Sequence, residues 1–211
     1  LLPYVLIDDL APDAFARLIE RLPVNSPLQV SYSSIRTYPY GPAAAHTLGM
    51  VKTDLDIDAQ GFPGNDLRTF KMKGTIGRDG LEKQFESVLE GEAGGSIFQV
   101  DRLGYKVKSS IQVRAPKQGK DLTTSLDIDL QQVAEKKFAE VTGGKSGAVV
   151  AMDVNTGEVL VLASAPSYNL NETSPRISSD KYAEIEEQGG WLNRAVNGLY
   201  PPGSTFKLIT S

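Results

Sequence analysis

Two almost continuous apolar runs, Ala148 to Asp153 and Glu158 to Ala163, are separated by the short string Asn155-Thr156-Gly157. A glycine able to take positive φ between two such runs predicts a β-hairpin. Its strands do not alternate apolar and polar residues, so neither face can be left to water. The hairpin therefore belongs to a central sheet covered by helices, and the covering helices must come from the flanking sequence. Upstream, Leu130, Val133, Ala134, Phe138 and Val141 recur as one apolar helix stripe. Asp127 is placed to cap that helix, and Asp121 to Asp127 leads into it as a strand. Downstream, Ser164 to Asn169 leaves the sheet, and Ser178 to Gly190 reads as a polar helix and loop. The lone Trp191 reads as packing.

The first half of the chain mixes short strands, turns and helices. Leu1 to Ile7 reads as a strand. Pro12 suits a first helical position, and Phe15, Leu18, Ile19 and Leu22 predict an amphipathic helix over Asp13 to Leu22, stopped by Pro23. Val30 to Tyr38 alternates weakly, and Ala43 to Val51 reads as a helical turn leading into a strand. Asp54 to Gly64 is acidic and interrupted by Gly and Pro, which predicts a loop. Leu81, Phe85 and Leu89 fall on one helix face, leaving Glu82 and Glu86 on a solvated one. Gly91 to Gly95 is a turn without the strand–loop–helix setting of a phosphate cradle. Two short strands surround Asp101 to Gly104, within Ile97 to Val113. Pro116 to Lys120 is a polar Pro/Gly linker. The expected organisation is α+β, with a domain over 1–115, a linker over 116–120 and a second domain over 121–211.

Composition excludes several function classes. The net charge is −4 and the basic residues are scattered, so there is no electrostatic footprint for nucleic acid. There is no cysteine, which excludes disulfides and thiolate metal sites. No apolar run is long enough to span a membrane as a helix. No cofactor or metal site is predicted. The chain opens on Leu1-Leu2-Pro3 and reaches only Ser211 after Lys207, so it is expected to be an excised segment.

The chemistry points to Pro201-Pro202-Gly203-Ser204-Thr205-Phe206-Lys207. Two prolines and a glycine cannot be helix interior, so a helix should start at about Ser204. Ser204 and Lys207 are then neighbours one turn apart. A serine hydroxyl needs a base, and a desolvated lysine at the positive end of a helix can be neutral and serve as one. The plainer reading of any Ser-x-x-Lys is a capping serine followed by a surface lysine. The surrounding string, Asn193 to Thr210, decides between them. N-R-A-V-N-G-L-Y-P-P-G-S-T-F-K-L-I-T resembles the first active-site motif of the class B penicillin-binding proteins, most closely their elongation-type branch.

The resemblance covers nearly the whole chain. Arg36 to Gly49 (R-x-Y-P-x-G-x-x-A-A-H-x-L-G) and Gly80 to Gly91 (G-L-E-K-x-F-E-x-x-L-x-G) are similar to blocks of the family's N-terminal pedestal, or dimerisation, domain. Leu122 to Gln131 and Ala151 to Asn169 are similar to the opening of its transpeptidase domain, which has the β-lactamase-like fold. The resemblance implies a serine-type peptidoglycan D,D-transpeptidase with Ser204 as nucleophile and Lys207 as base. Its substrates would be D-Ala–D-Ala stem peptides, β-lactams would acylate the same serine, and the backbone N–H of Ser204 would be one oxyanion donor. It places the protein on the periplasmic face of the bacterial inner membrane, with the anchor absent from this chain. Implied partners are a polytopic glycosyltransferase and other proteins of the elongation complex. The family also carries Ser-x-Asn and Lys-Thr-Gly motifs. The chain is read as lacking both, and so as inactive alone. A second reading is a non-catalytic scaffold that docks those partners, with Arg36, Tyr38 and His46 as structural residues. A β-lactamase is disfavoured by the pedestal blocks.

Overall fold

The computed structural model describes residues 6–7, 10–23, 26–28, 30, 35–58, 71–92, 95–108, 110–115 and 117–210. The expected strand at Leu1 to Ile7 falls largely outside the described residues, and of the weak alternation over Val30 to Tyr38, residues 31–34 lie outside them while the rest is not strand. The chain divides into two compact units that do not follow chain order. One gathers Leu1–Ile35, Asp54–Gly74 and Glu90–Lys120; the other gathers Arg36–Thr53, Thr75–Leu89 and Asp121–Ser211.

In the first unit Pro12 opens helix α1 (Pro12–Arg21), whose missing N–H would have had no helical partner, and Leu22 ends it. Strands β3 (Gly95–Ile97) and β4 (Gln112–Arg114) pair antiparallel, with Ser96 opposite Val113. The turn between them is held by Asp101, whose Oδ1 accepts the N–H groups of Leu103 and Tyr105 at 2.8 and 2.9 Å. Glu92 and Lys117 exchange both backbone hydrogen bonds, and their side chains form an ion pair at 2.8 Å.

Strands β1 (Val51–Asp58) and β2 (Lys71–Gly77) form a two-stranded sheet. The loop expected from Asp54 onward is thus strand as far as Asp58.

The second unit holds the buried cluster. Tyr38, Ala45, Met50, Tyr168, Leu170 and Ile185 pack together, with Leu48, Ile177 and Trp191 against them. The helical turn α2 (Ala45–Leu48) ends at Gly49, whose φ of 79° suits a residue without Cβ; a Cβ there would strike the Asp79 carbonyl. Asp79 Oδ1 accepts the N–H of Met50 at 2.8 Å. The predicted helix over Leu81 to Leu89 forms as two short pieces, α3 (Gly80–Gln84) and α4 (Glu86–Leu89).

Glu82 does not lie on a solvated face, contrary to the sequence expectation, and Glu86 is half-buried. Glu82 is buried and takes two of the three guanidinium nitrogens of Arg36, Nε at 2.8 Å and Nη2 at 2.9 Å, while Tyr38 Oη donates to it at 3.4 Å. Burial raises the Glu82 carboxyl above its ordinary range, and Arg36 and Tyr38 pull it back. Burial likewise pushes Tyr38 up to about 12.

Asp127 caps α5 (Ile128–Thr142) as predicted, accepting from the N–H groups of Asp129 and Leu130 at 3.0 Å, but Asp121 to Asp127 is not a strand. The hairpin forms as β5 (Gly147–Met152) and β6 (Val159–Ala165), paired antiparallel with an irregularity at Ala151/Met152. Gly157 takes φ 78° in the turn, and Asp153 Oδ1 accepts from Asn155 and Thr156.

The expected apolar stripe of α5 is largely outside: Leu130, Val133 and Val141 are exposed. The inward face carries Gln131, fully buried, and Glu135. Gln131 Oε1 accepts the N–H of Leu162 at 2.9 Å, and its Nε2 donates to the Leu162 carbonyl at 3.3 Å and to Glu135 Oε1 at 2.7 Å. The same Glu135 oxygen accepts the N–H of Ala44 at 2.9 Å, and Ala44 is in the left-handed region at φ 54°. The helix therefore meets backbone groups of β6 that have no strand partner, and a buried amide satisfies both. Burial raises Glu135 above its usual range, against these two donors.

Candidate active site

Pro201 and Pro202 stop any preceding helix, and Gly203 takes φ 55°. A 3-10 turn over Gly203–Phe206 then runs into α9 (Lys207–Thr210). The predicted start at Ser204 is thus close, but the first turn is 3-10 rather than α. Its i to i+3 bond runs from the N–H of Lys207 to the Ser204 carbonyl. Positions three apart eclipse in this geometry, so Ser204 and Lys207 remain on one side. The side-chain hydrogen bonds of the segment join Thr205 Oγ1 to Pro202 O at 2.6 Å and Thr210 Oγ1 to Phe206 O at 3.4 Å. Among the described residues, neither the Ser204 nor the Lys207 side chain takes part in one. All of residues 201–210 are exposed. A lysine that serves as base has to be desolvated, and the described residues do not supply that burial at Lys207.

Residues 190–194, separated from this turn by residues 195–202, are held from two sides. Ser164 on β6 is buried; its Oγ donates to Leu192 O at 3.1 Å and accepts the N–H of Arg194 at 2.9 Å. The first N–H of α8 (Arg194–Asn197) is thereby capped from the sheet. Asn193, which stands in the N-cap position, makes no side-chain cap, and its Oδ1 is buried with no partner among the described residues. Arg194 Nη1 donates to Gly189 O at 2.8 Å. From the other side, His46 Nε2 lies 2.6 Å from Gly190 O. A carbonyl only accepts, so Nε2 carries the proton. Burial lowers the His46 imidazole below its usual range; the Gly190 carbonyl opposes this, Arg194 adds to it and Asp79 opposes it. The ring meets Tyr168 edge-on at 5.0 Å, Tyr168 lies 5.0 Å from Trp191, and the Arg78 guanidinium sits 5.7 Å over the Trp191 ring. The reading of His46 as hydrogen-bonded structure and of Trp191 as packing agrees with this arrangement. The sequence reading missed Ser164 as the cap, since a serine in an apolar strand gives no local signal of a partner 30 residues on.

One sequence reading needs correction. Ser167-Tyr168-Asn169 does spell Ser-x-Asn. Its side chains are spent on structure: Ser167 Oγ donates to Pro42 O at 3.0 Å, Tyr168 is buried in the core cluster, and Asn169 caps α6 (Leu170–Thr173). Among the described residues there is no group of three or more His, Asp or Glu side chains that could hold a metal ion.

Comparison with known proteins gives the geometry its setting. Residues 2–124 match the family described as the penicillin-binding protein dimerisation domain, and residues 147–211 match the penicillin-binding protein transpeptidase domain. The chain is 35% identical over 187 residues to the peptidoglycan D,D-transpeptidase MrdA of Acinetobacter baumannii, covering 85% of this chain and 26% of that protein. It is 36% identical over 176 residues to MrdA of Escherichia coli, covering 82% and 27%. The chain thus spans 26–27% of the length of these two curated relatives. Among solved structures, penicillin-binding protein 2 (PBP2) of Pseudomonas aeruginosa in complex with WCK 5153 aligns with a TM-score of 0.61 at 32% identity, covering 85% of this chain and 34% of that one. A complex between PBP2 and MreC from Helicobacter pylori aligns with a TM-score of 0.59 at 34% identity, covering 82% and 31%. The α+β chain belongs to the penicillin-binding proteins, carrying their dimerisation domain and part of their transpeptidase domain.

Proposed function

We propose that the protein to which this chain belongs is a serine-type peptidoglycan D,D-transpeptidase. The observation that carries the reading is the placement of Ser204 and Lys207 on one side of a helix start behind Pro-Pro-Gly, within the transpeptidase match. Ser204 Oγ attacks the carbonyl between the two D-alanines of a donor stem peptide, and Lys207 accepts the proton. The C–N bond breaks, terminal D-alanine leaves, and an acyl-enzyme remains. The amine of an acceptor stem peptide then displaces Ser204 and forms the cross-link. β-Lactams acylate the same oxygen. The parts around Ser204 that this chain lacks, a second oxyanion donor and a carboxylate-binding strand, would be supplied by the remainder of the domain. The domain division behind this reading is a pedestal over 1–115 and a transpeptidase part from 121.

This chemistry belongs on the extracytoplasmic side of the inner membrane, where peptidoglycan is made. No helix among the described residues is long and apolar enough to cross a membrane. The pedestal is the part expected to dock elongation partners: a polytopic glycosyltransferase and, given the Helicobacter pylori PBP2–MreC complex, an MreC-type protein. The test is labelling of the full-length protein with a fluorescent β-lactam, followed by peptide mapping. An adduct on Ser204, absent in Ser204→Ala, is expected; an adduct on another residue overturns the assignment.

A further inference from the structure

The structure assigns His46 a role as a positioning residue for acylation: through its hydrogen bond to Gly190 O it fixes the backbone from which the Ser-x-x-Lys turn departs. This rests on the reading of Ser204 as nucleophile. Beyond Gly198 the described hydrogen bonds of the segment stay within it, such as the N–H of Thr205 to Pro202 O. The last hydrogen bonds from distant residues before Ser204 are therefore those on residues 190–194, followed by the packing of α8 against β5 and β6. Ser164 supplies one side of that anchorage and lies on the adjoining strand. His46 supplies the other, from 144 residues away in sequence.

His46 is itself well held. The turn that carries it begins at left-handed Ala44, whose N–H is taken by Glu135, and ends at Gly49, packed against Asp79. Its ring is wedged edge-on against Tyr168. A donor so fixed, bonded to a carbonyl four residues before Arg194, limits the directions in which the following turn can start. Misplacing a nucleophile by about 1 Å can cost about 10²-fold in rate, because attack requires near-contact geometry.

The test measures single-turnover acylation of the full-length protein by a fluorescent penicillin, separating the acylation rate constant from the binding constant. His46→Leu keeps most of the ring's volume and removes the donor; its acylation rate constant is expected to fall about 10- to 100-fold with binding little changed. His46→Gln restores an N–H at similar reach and is expected to recover to within about threefold of wild type. Ser164→Ala releases the same segment from the other side and is expected to slow acylation in the same direction. Leu170→Ala opens a cavity in the same core, so it lowers the melting temperature but leaves the rate constant of the folded protein unchanged. An unchanged rate in His46→Leu, a His46→Gln as slow as His46→Leu, or a Leu170→Ala slowed as much as either overturns the inference. Wild-type protein that fails to label at Ser204 overturns the nucleophile assignment first, and this inference with it.

Discussion

Residues 164–198 and 199–210 adjoin in sequence and differ in what holds them. In the first stretch, partners from distant parts of the second unit engage backbone groups: Ser164 takes Leu192 and Arg194, and His46 takes Gly190. In the second, described hydrogen bonds reach only three or four residues along the chain, and Leu199, Tyr200, Leu208 and Ile209 are exposed. The lesson is that the placement of Ser204 beside Lys207 is a local property, written by Pro-Pro-Gly and one 3-10 turn, whereas the burial that the proposed base would need is not local. A short helix start can place a lysine beside a serine. It cannot desolvate that lysine.

The largest effect that could break this comparison is chemical. In full-length protein, Lys207→Ala is expected to slow β-lactam acylation by about 10²- to 10⁴-fold, the usual range for general-base assistance, while the melting temperature stays close to wild type. The isolated 211-residue chain, with Ser204 and Lys207 present, should label far more slowly than the full-length protein. Loss of one oxyanion donor alone costs about 10²- to 10³-fold. Stoichiometric labelling of the isolated chain at the full-length rate would show that these 211 residues already supply the environment Lys207 needs, and the contrast between local placement and non-local activation would fail.

The next effect concerns stability of the clamped region. Gln131→Ala leaves the buried N–H of Leu162 without its acceptor and removes one of two donors to Glu135. One stranded group and a small cavity together are expected to cost about 3 kcal/mol in urea unfolding. Gln131→Leu should not rescue it, because an apolar side chain cannot pair with the strand edge. A Leu variant as stable as wild type would mean that β6 finds another partner there.

This glutamine also shows where sequence reading stops. The hairpin, the Asp127 cap, the Pro12 helix start and the Ser204–Lys207 order are legible because each depends on residues within a few positions: a glycine turn, a carboxylate before a helix, a proline at its first turn. The inward face of α5 was not. Periodicity selects Leu130, Val133 and Val141 because it scores apolar spacing, but α5 lies against backbone groups of Leu162 that bond to side chains, and these call for Gln131, with Glu135 as its partner, instead. For the same reason Glu82 looked like a surface residue, since its partners Arg36 and Tyr38 lie 46 and 44 residues away. The Ser164 and His46 contacts likewise join segments that no local window spans.

A smaller effect is expected at Glu82. Replacing it by Gln removes a buried charge along with its attraction to Arg36, whose side chain is 39% exposed and can rehydrate. Desolvation and pairing therefore offset each other, and a net loss of about 1 kcal/mol is expected in thermal unfolding, well below the cost of Gln131→Ala. A loss larger than that of Gln131→Ala would place the anchor of this unit at the ion pair rather than at the α5–β6 contact.

The smallest effect is the pH dependence that His46 contributes. Its folded-state pKa lies below the usual value of 6.5, mainly through burial. As pH falls, the unfolded chain takes up this proton before the folded one does, so folding stability rises with pH in that window. The contribution is fully present above 6.5 and is lost progressively as pH falls from there toward the folded pKa. Glu82 and Glu135 act in the opposite sense. Their raised pKa values mean that the folded state binds protons first, so their terms grow more favourable as pH falls. A single melting curve series would mix the two. The difference between wild type and His46→Gln isolates the histidine, because both proteins share the carboxylates. Comparing melting temperatures from about pH 7 down to about pH 5, the variant should lose less stability than wild type. Parallel curves would mean that the folded protein accepts the proton as readily as the unfolded chain. That outcome would mean that the Gly190 carbonyl, which favours the protonated ring, offsets the desolvation that disfavours it.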